Sequence, residues 1–158
     1  MKARQVTFVA LAAAIAVTLT SVAAAGPDAA KQHVAITMTG LPNGHFVLEP
    51  VRAGALERDS GTTSVLINGP NVVMREGQRV EIYSNTFTLE GKRGILTVRE
   101  RVEWVYAGGP FVGMGTWKVV RGTGEYAKIA GGGRTATAGL NHGNGAWSVH
   151  EEGFLTLK

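Results

Sequence analysis

"RGTGEYAKIAGGGR", residues Arg121 to Arg134, holds five glycines in fourteen positions, with one tyrosine and three basic side chains. Two structures produce such a stretch: a loop that cradles a phosphate, or a corner between β-strands. A phosphate loop needs G-x-x-x-x-G-K-[ST] between a strand and a helix, and a dinucleotide loop needs G-x-G-x-x-G opening a helix. Gly122-Thr123-Gly124 is instead followed by Glu-Tyr-Ala, and "AKIAGGGRTATAG" beyond it is too rich in glycine to be helical. The corner reading fits. "GMGTWKVV", residues 113–120, alternates Gly115, Trp117 and Val119 on one face with Met114, Thr116, Lys118 and Val120 on the other. Gly122 and Gly124 then supply the positive φ of a tight reversal, and Tyr126 opens the next strand. Gly131-Gly132-Gly133 marks a bulge or a corner where backbones approach closely.

The same punctuation recurs along the chain. "LPNGH" at 41–45, "NGPN" at 68–71, "REGQ" at 75–78, "GKRG" at 91–94 and "NHGNG" at 141–145 separate runs rich in Val, Ile, Thr and aromatic residues. These predict an all-β domain with strands at 33–39, 45–49, 62–67, 71–75, 79–90, 94–106, 111–121, 125–138 and 146–157. Residues 50–61 read as a long surface loop. From Arg79 onward every connection is short, so successive strands pair antiparallel as hairpins. Such a meander leaves exposed edges unless the sheet closes on itself, which favours a single antiparallel up-and-down β-barrel of about eight strands over a sandwich.

"GTWKVVRGTGEYAKIAGGGR" resembles the G-T-G-x-[FY]-x-x-x-x-G-x-G signature of the allene oxide cyclase and dirigent barrel superfamily, closest to small secreted bacterial members without assigned activity. The similarity is sharpest over residues 111–134 and extends as a strand pattern over 79–157. It implies an eight-stranded antiparallel barrel with an apolar lumen, and often homo-oligomers. The plant branches guide cyclisation or coupling of reactive hydrophobic intermediates. The plant cyclases use a glutamate early in the first barrel strand, whereas "HVAITMTG" here has no carboxylate.

The N-terminus carries its own instructions. Lys2 and Arg4 precede an uncharged apolar run, "VTFVALAAAIAVTL" at 6–19, which ends in "SVAAAG". A basic start, a short apolar stretch and an A-x-A site predict a signal peptide over residues 1–25 and a β-barrel domain over 26–158. The alternative is an uncleaved membrane anchor over 6–25. Cleavage at Ala25 leaves no stable membrane span and implies an exported protein, either secreted or retained in the cell envelope or periplasm. Two of the sixteen basic residues and none of the twelve acidic ones lie in that segment, so the mature domain is close to neutral. It carries no electrostatic footprint for nucleic acid. With no cysteine, disulfides and lipoprotein processing are excluded.

The strand "GILTVRERVEWVYAG" carries the strongest chemical signal. Leu96, Val98, Val102, Trp104 and Tyr106 form an apolar face at every second residue, and only Glu100 interrupts it. A one-residue slip would instead bury Arg99 and Arg101, so Glu100 is expected inside. A carboxyl on an apolar face is costly unless it is paired or protonated. Its functional reading is a catalytic acid or base, or a polar anchor, in the lumen; a partner arginine or a local bulge would make it structural. Leu96, Val98, Val102, Trp104, Tyr106 and Trp117 are the candidate ligand-binding wall, though aromatics at alternating positions are also ordinary core.

The four histidines form neither H-x-H nor H-E-x-x-H, so no metal site is expected. In "VHEEG", His150 and Glu152 share a face, which reads as a solvated surface pair. No G-x-S-x-G elbow is present, and no cofactor is implied. Three functions remain open: a binder of one small hydrophobic molecule, a cofactor-free cyclase or isomerase using Glu100, or a filled barrel serving as an envelope or interaction module.

Overall fold

The computed structural model describes residues 31–106, 108–140 and 147–157. The expected signal segment, residues 1–25, lies outside them. Nine strands form one antiparallel sheet: β1 (Lys31–Leu41), β2 (Asn43–Pro50), β3 (Asp59–Leu66), β4 (Asn71–Arg75), β5 (Gln78–Gly91), β6 (Gly94–Tyr106), β7 (Pro110–Gly122), β8 (Ile129–Leu140) and β9 (Trp147–Leu157). Their order is β3-β2-β1-β9-β8-β7-β6-β5-β4, and a further β3–β5 pairing closes the sheet into a ring. Pairing β1 with β9, from Lys31 opposite Thr156 to Leu41 opposite Trp147, supplies the long-range seam.

Eight staves build that ring. β3 pairs with the second half of β5 and β4 with its first half, so the two short strands share one flank of β5. The β4–β5 hairpin turns on Glu76 and Gly77, both at positive φ, the two-residue geometry that matches strand twist. Glycines meet a different demand at residues 131–133. Pairing runs through them to β9 without a register shift, so they form no bulge. They allow close approach, since a Cβ on Gly133 would lie 2.0 Å from the Glu152 carbonyl oxygen. Trp117, the register partner of Gly133, donates its indole N–H to that same carbonyl at 3.3 Å.

The segment after Gly122 differs from the sequence expectation. Tyr126 does not open a strand. Gly124–Tyr126 forms one 3₁₀ turn, with Tyr126 N–H bonded to Thr123 O and Ala127 N–H to Gly124 O, and β8 begins only at Ile129. That turn swings Tyr126 inward, where it is fully buried. Its hydroxyl donates to Asp59 at 2.8 Å. Asp59 also accepts the backbone N–H groups of Ser60, Lys92 and Arg93, joining the start of β3 to the β5–β6 hairpin.

The expected loop at 50–61 is shorter, covering 51–58, and it is not purely superficial. Leu56 enters the core, and the buried Gln32 amide holds the loop through Leu56 N–H, Leu56 O and Arg52 O. An apolar residue within a charged stretch gives no periodic signal, which is why the sequence reads as surface there.

Gly124 sits at φ +59, and a Cβ added there would lie 2.4 Å from the Arg93 carbonyl oxygen. Gly124→Val is therefore expected to destabilise the fold at the upper end of about 1–3 kcal/mol. Thr123 Oγ1 only accepts the exposed Ile95 N–H, so Thr123→Val is expected to lose less. Urea melts of both variants check the order, and a Gly124→Val midpoint equal to wild type would remove the tight corner.

Candidate functional site

Glu100 faces the interior of the ring, as its row predicts, and is completely buried. Leu96, Val98, Val102, Trp104 and Trp117 are buried with it, and Tyr106 is half-buried near the end of β6. Arg99 and Arg101 lie on the outer face. Among the described residues no arginine partners Glu100, and no bulge turns it outward. Its carboxyl instead accepts hydrogen bonds from Asn85 Nδ2 on β5 at 2.9 Å and from Thr135 Oγ1 on β8 at 2.6 Å, with Thr137 Oγ1 at 3.4 Å. Burial raises its pKa above the ordinary carboxyl range, and the three donors oppose that rise.

A second interior carboxyl belongs to Glu151. It is completely buried, and neither oxygen has a hydrogen-bond partner among the described residues. Glu151 is the register partner of Thr135, whose hydroxyl holds Glu100, so both carboxyls gather around one threonine. Burial drives the Glu151 pKa well above its usual value, and the neighbouring charge of Glu100 drives it further. Two interacting carboxyls in an apolar enclosure do not both ionise readily. Glu100 has three donors that favour its charged form and Glu151 has none, so of the two Glu151 holds its proton to the higher pH.

Sequence reasoning missed Glu151, although its signal was present. Trp147, Val149, Gly153 and Leu155 alternate inward along β9, and Glu151 interrupts that row as Glu100 interrupts its own. The neighbouring His150 and Glu152 do face outward. Glu152 pairs with His33 at 2.9 Å rather than with His150, which meets Thr37 Oγ1. His45 is exposed, and His142 lies outside the described residues. Among the described residues no group of three acidic, histidine or cysteine side chains is placed to hold a metal.

Aromatic rings fill the end of the interior near the start of β7. Trp104 packs against Phe111 at 4.4 Å, Tyr83 at 4.2 Å and Trp147 at 5.5 Å between ring centres. Beside them, Glu81 accepts the hydroxyls of Tyr83 and Tyr106 at 2.7 and 2.9 Å and meets Arg79 at 2.7 Å. Burial and the Glu81 hydrogen bond push the Tyr83 phenol up to about 12. Part of the expected ligand wall is thus an aromatic plug: Trp104 and Tyr106 pack against other rings, whereas Trp117 adjoins Glu100 in register.

The chain matches no protein-family model, no curated protein and no solved structure.

Proposed function

We propose that this is an exported, allene-oxide-cyclase-like up-and-down β-barrel that binds one small, mostly apolar molecule in its lumen, with Glu100 and Glu151 as the polar anchor. The observation that carries this reading is the Glu151 carboxyl, fully buried and without a hydrogen-bond partner among the described residues. A barrel that needs only a packed interior is better served by leucine there, because an unpartnered buried polar group costs about 1–3 kcal/mol. Groups retained at such a cost cluster at binding and catalytic sites. The residue pattern at 1–25 supports signal-peptide cleavage and export, and the 111–134 motif supports the barrel family.

A second reading rests on the unequal environments of the two carboxyls. Glu100 accepts three donors and Glu151 accepts none, so one is poised as base and the other as acid. That is the arrangement a cofactor-free cyclase or isomerase requires for moving a proton within a bound molecule.

Thermal melts with a panel of six- to twelve-carbon alcohols, ketones, acids and amines test the binding reading. Binders are expected to raise the melting temperature of the wild type, and Glu151→Leu is expected to abolish the response. If no member of the panel shifts the wild type, or if Glu151→Leu responds equally, the lumen site is refuted. Conversion of a bound compound, followed by mass spectrometry and lost in Glu100→Gln, would select the enzyme.

A further inference from the structure

The charge of the interior is one-sided. Asp59, Glu81, Glu100 and Glu151 are buried, and no lysine, arginine or histidine is buried among the described residues. Asp59 is satisfied by Tyr126 and three backbone N–H groups, and Glu81 by Arg79 and two tyrosines. Among the described residues Glu100 and Glu151 share no cation. The basic side chains nearest Glu100 in sequence, Arg99 and Arg101, point to solvent. A buried carboxylate without a countercharge is expensive, and a cation that meets it in low dielectric is held strongly.

Three of the four buried unpartnered atoms point to the geometry of that cation. Among the described residues Glu151 Oε1, Glu151 Oε2 and Asn85 Oδ1 are buried acceptors without a donor, whereas the fourth, Trp104 Nε1, is a donor within the aromatic cluster. The orientation of Asn85 is fixed, because its Nδ2 donates to Glu100. Three acceptors flanking a carboxylate match the three N–H donors of a primary ammonium. Trp117 lies beside Glu100 in register, and an indole adds cation–π attraction at a desolvated site. The inward rows around the pair are apolar, with Val98, Val102, Val149 and Phe87 completely or almost completely buried.

We propose that the molecule held in this interior is a primary aliphatic amine, its ammonium seated among Glu100, Glu151 and Asn85 and its hydrocarbon part against the apolar wall. This rests on the lumen-binding reading above and narrows it to one head group. A neutral alcohol offers one donor to three acceptors and leaves the carboxylate uncompensated. A fatty acid adds a third carboxyl to two and is repelled unless protonated. Binding of the amine favours ionised Glu151, so the complex releases a proton as it forms.

Octylammonium, 1-octanol and octanoate, matched in chain length, separate the possibilities by calorimetry at neutral pH. Octylammonium is expected to bind with a Kd at least about tenfold below that of octanol. Glu151→Gln and Asn85→Ala are each expected to remove most of that preference, bringing the octylammonium Kd to within about threefold of the octanol Kd measured on the same variant. Enthalpies measured in two buffers of different ionisation heat are expected to show proton release in the wild type, absent in Glu151→Gln. Octanol binding as tightly as octylammonium would overturn the ammonium site and leave the lumen reading standing. Failure of all three probes would overturn both. Stabilisation by calcium chloride that is lost in Glu151→Gln would also overturn the proposal, by showing an inorganic ion in that place.

Discussion

Asp59→Ala is expected to be the most damaging single substitution outside the apolar core, lowering stability by roughly 3 kcal/mol or more. Asp59 is almost fully buried and accepts four hydrogen bonds, from Tyr126 Oη, Ser60 N, Lys92 N and Arg93 N. The four donors serve three different requirements of the ring. Ser60 lies at the start of the strand whose pairing closes the sheet on β5, Lys92 and Arg93 turn the β5–β6 hairpin, and Tyr126 ends the corner after β7. Truncation to alanine strands the buried phenol and leaves the hairpin amides with one partner fewer. Burial raises the Asp59 pKa, but the bonds from Tyr126, Ser60, Arg93 and Lys92 outweigh it and leave the carboxyl below its usual range. Its stabilisation is therefore present above the ordinary aspartate pKa and lost as pH falls through the depressed folded value. Tyr126→Phe removes one of the four bonds and is expected to lose about 1–3 kcal/mol. Asn in place of Asp59 keeps one acceptor oxygen and is expected to fall between wild type and alanine. Urea denaturation of the three variants near pH 7 checks the series. An alanine variant within about 0.5 kcal/mol of wild type would mean that this carboxylate does not hold the corner.

This corner answers the question that the glycine-rich stretch raises, and it shows where sequence is legible. Alternation and turn residues place the strands closely, because a period of two and a glycine at positive φ are local properties. Parity along β6 likewise puts Glu100 inside without knowledge of any other strand. What pairs with Glu100 is not local. Asn85, Thr135 and Thr137 reach it from β5 and β8, and an ordinary Asn or Thr within a strand gives no sign of its partner. Asp59 and Tyr126 are 67 positions apart and meet only once the ring has closed. Glu151 was within reach of the parity argument, since its row is interrupted in the same way as that of Glu100. The adjacent His150 and Glu152, a familiar acid–base combination, make the outward face of the same strand the more conspicuous one in the sequence.

Glu151→Leu is expected to raise stability near pH 8 by about 1–3 kcal/mol, the cost of an unpartnered buried polar group. The pH dependence follows from the direction of the shift. Burial, and then repulsion from Glu100, raise the folded-state pKa of Glu151, so the native protein binds that proton more tightly than the unfolded chain. Burial raises Glu100 in the same sense, against its three donors. Stability from these protons is complete below the ordinary carboxyl pKa and declines as pH rises toward the raised folded values. Asp59 acts oppositely below about pH 4, so the wild type is expected to be most stable on the acid side of neutrality, near pH 4–5, and weaker at pH 8. Glu151→Leu removes both the proton and the repulsion, so its profile between pH 5 and 8 is expected to be higher and flatter. Glu151→Gln flattens the profile too, but it gains less because a buried amide still needs partners. Glu100→Leu is expected to gain least, since it strands Asn85 Nδ2 and the Thr135 hydroxyl that now bond the carboxylate. Denaturation midpoints at four pH values for the wild type and the three variants test the scheme. A wild-type stability that climbs from pH 5 to 8, or a Glu151→Leu variant no more stable than wild type at pH 8, would refute a shared, protonated carboxyl pair at the centre of this ring.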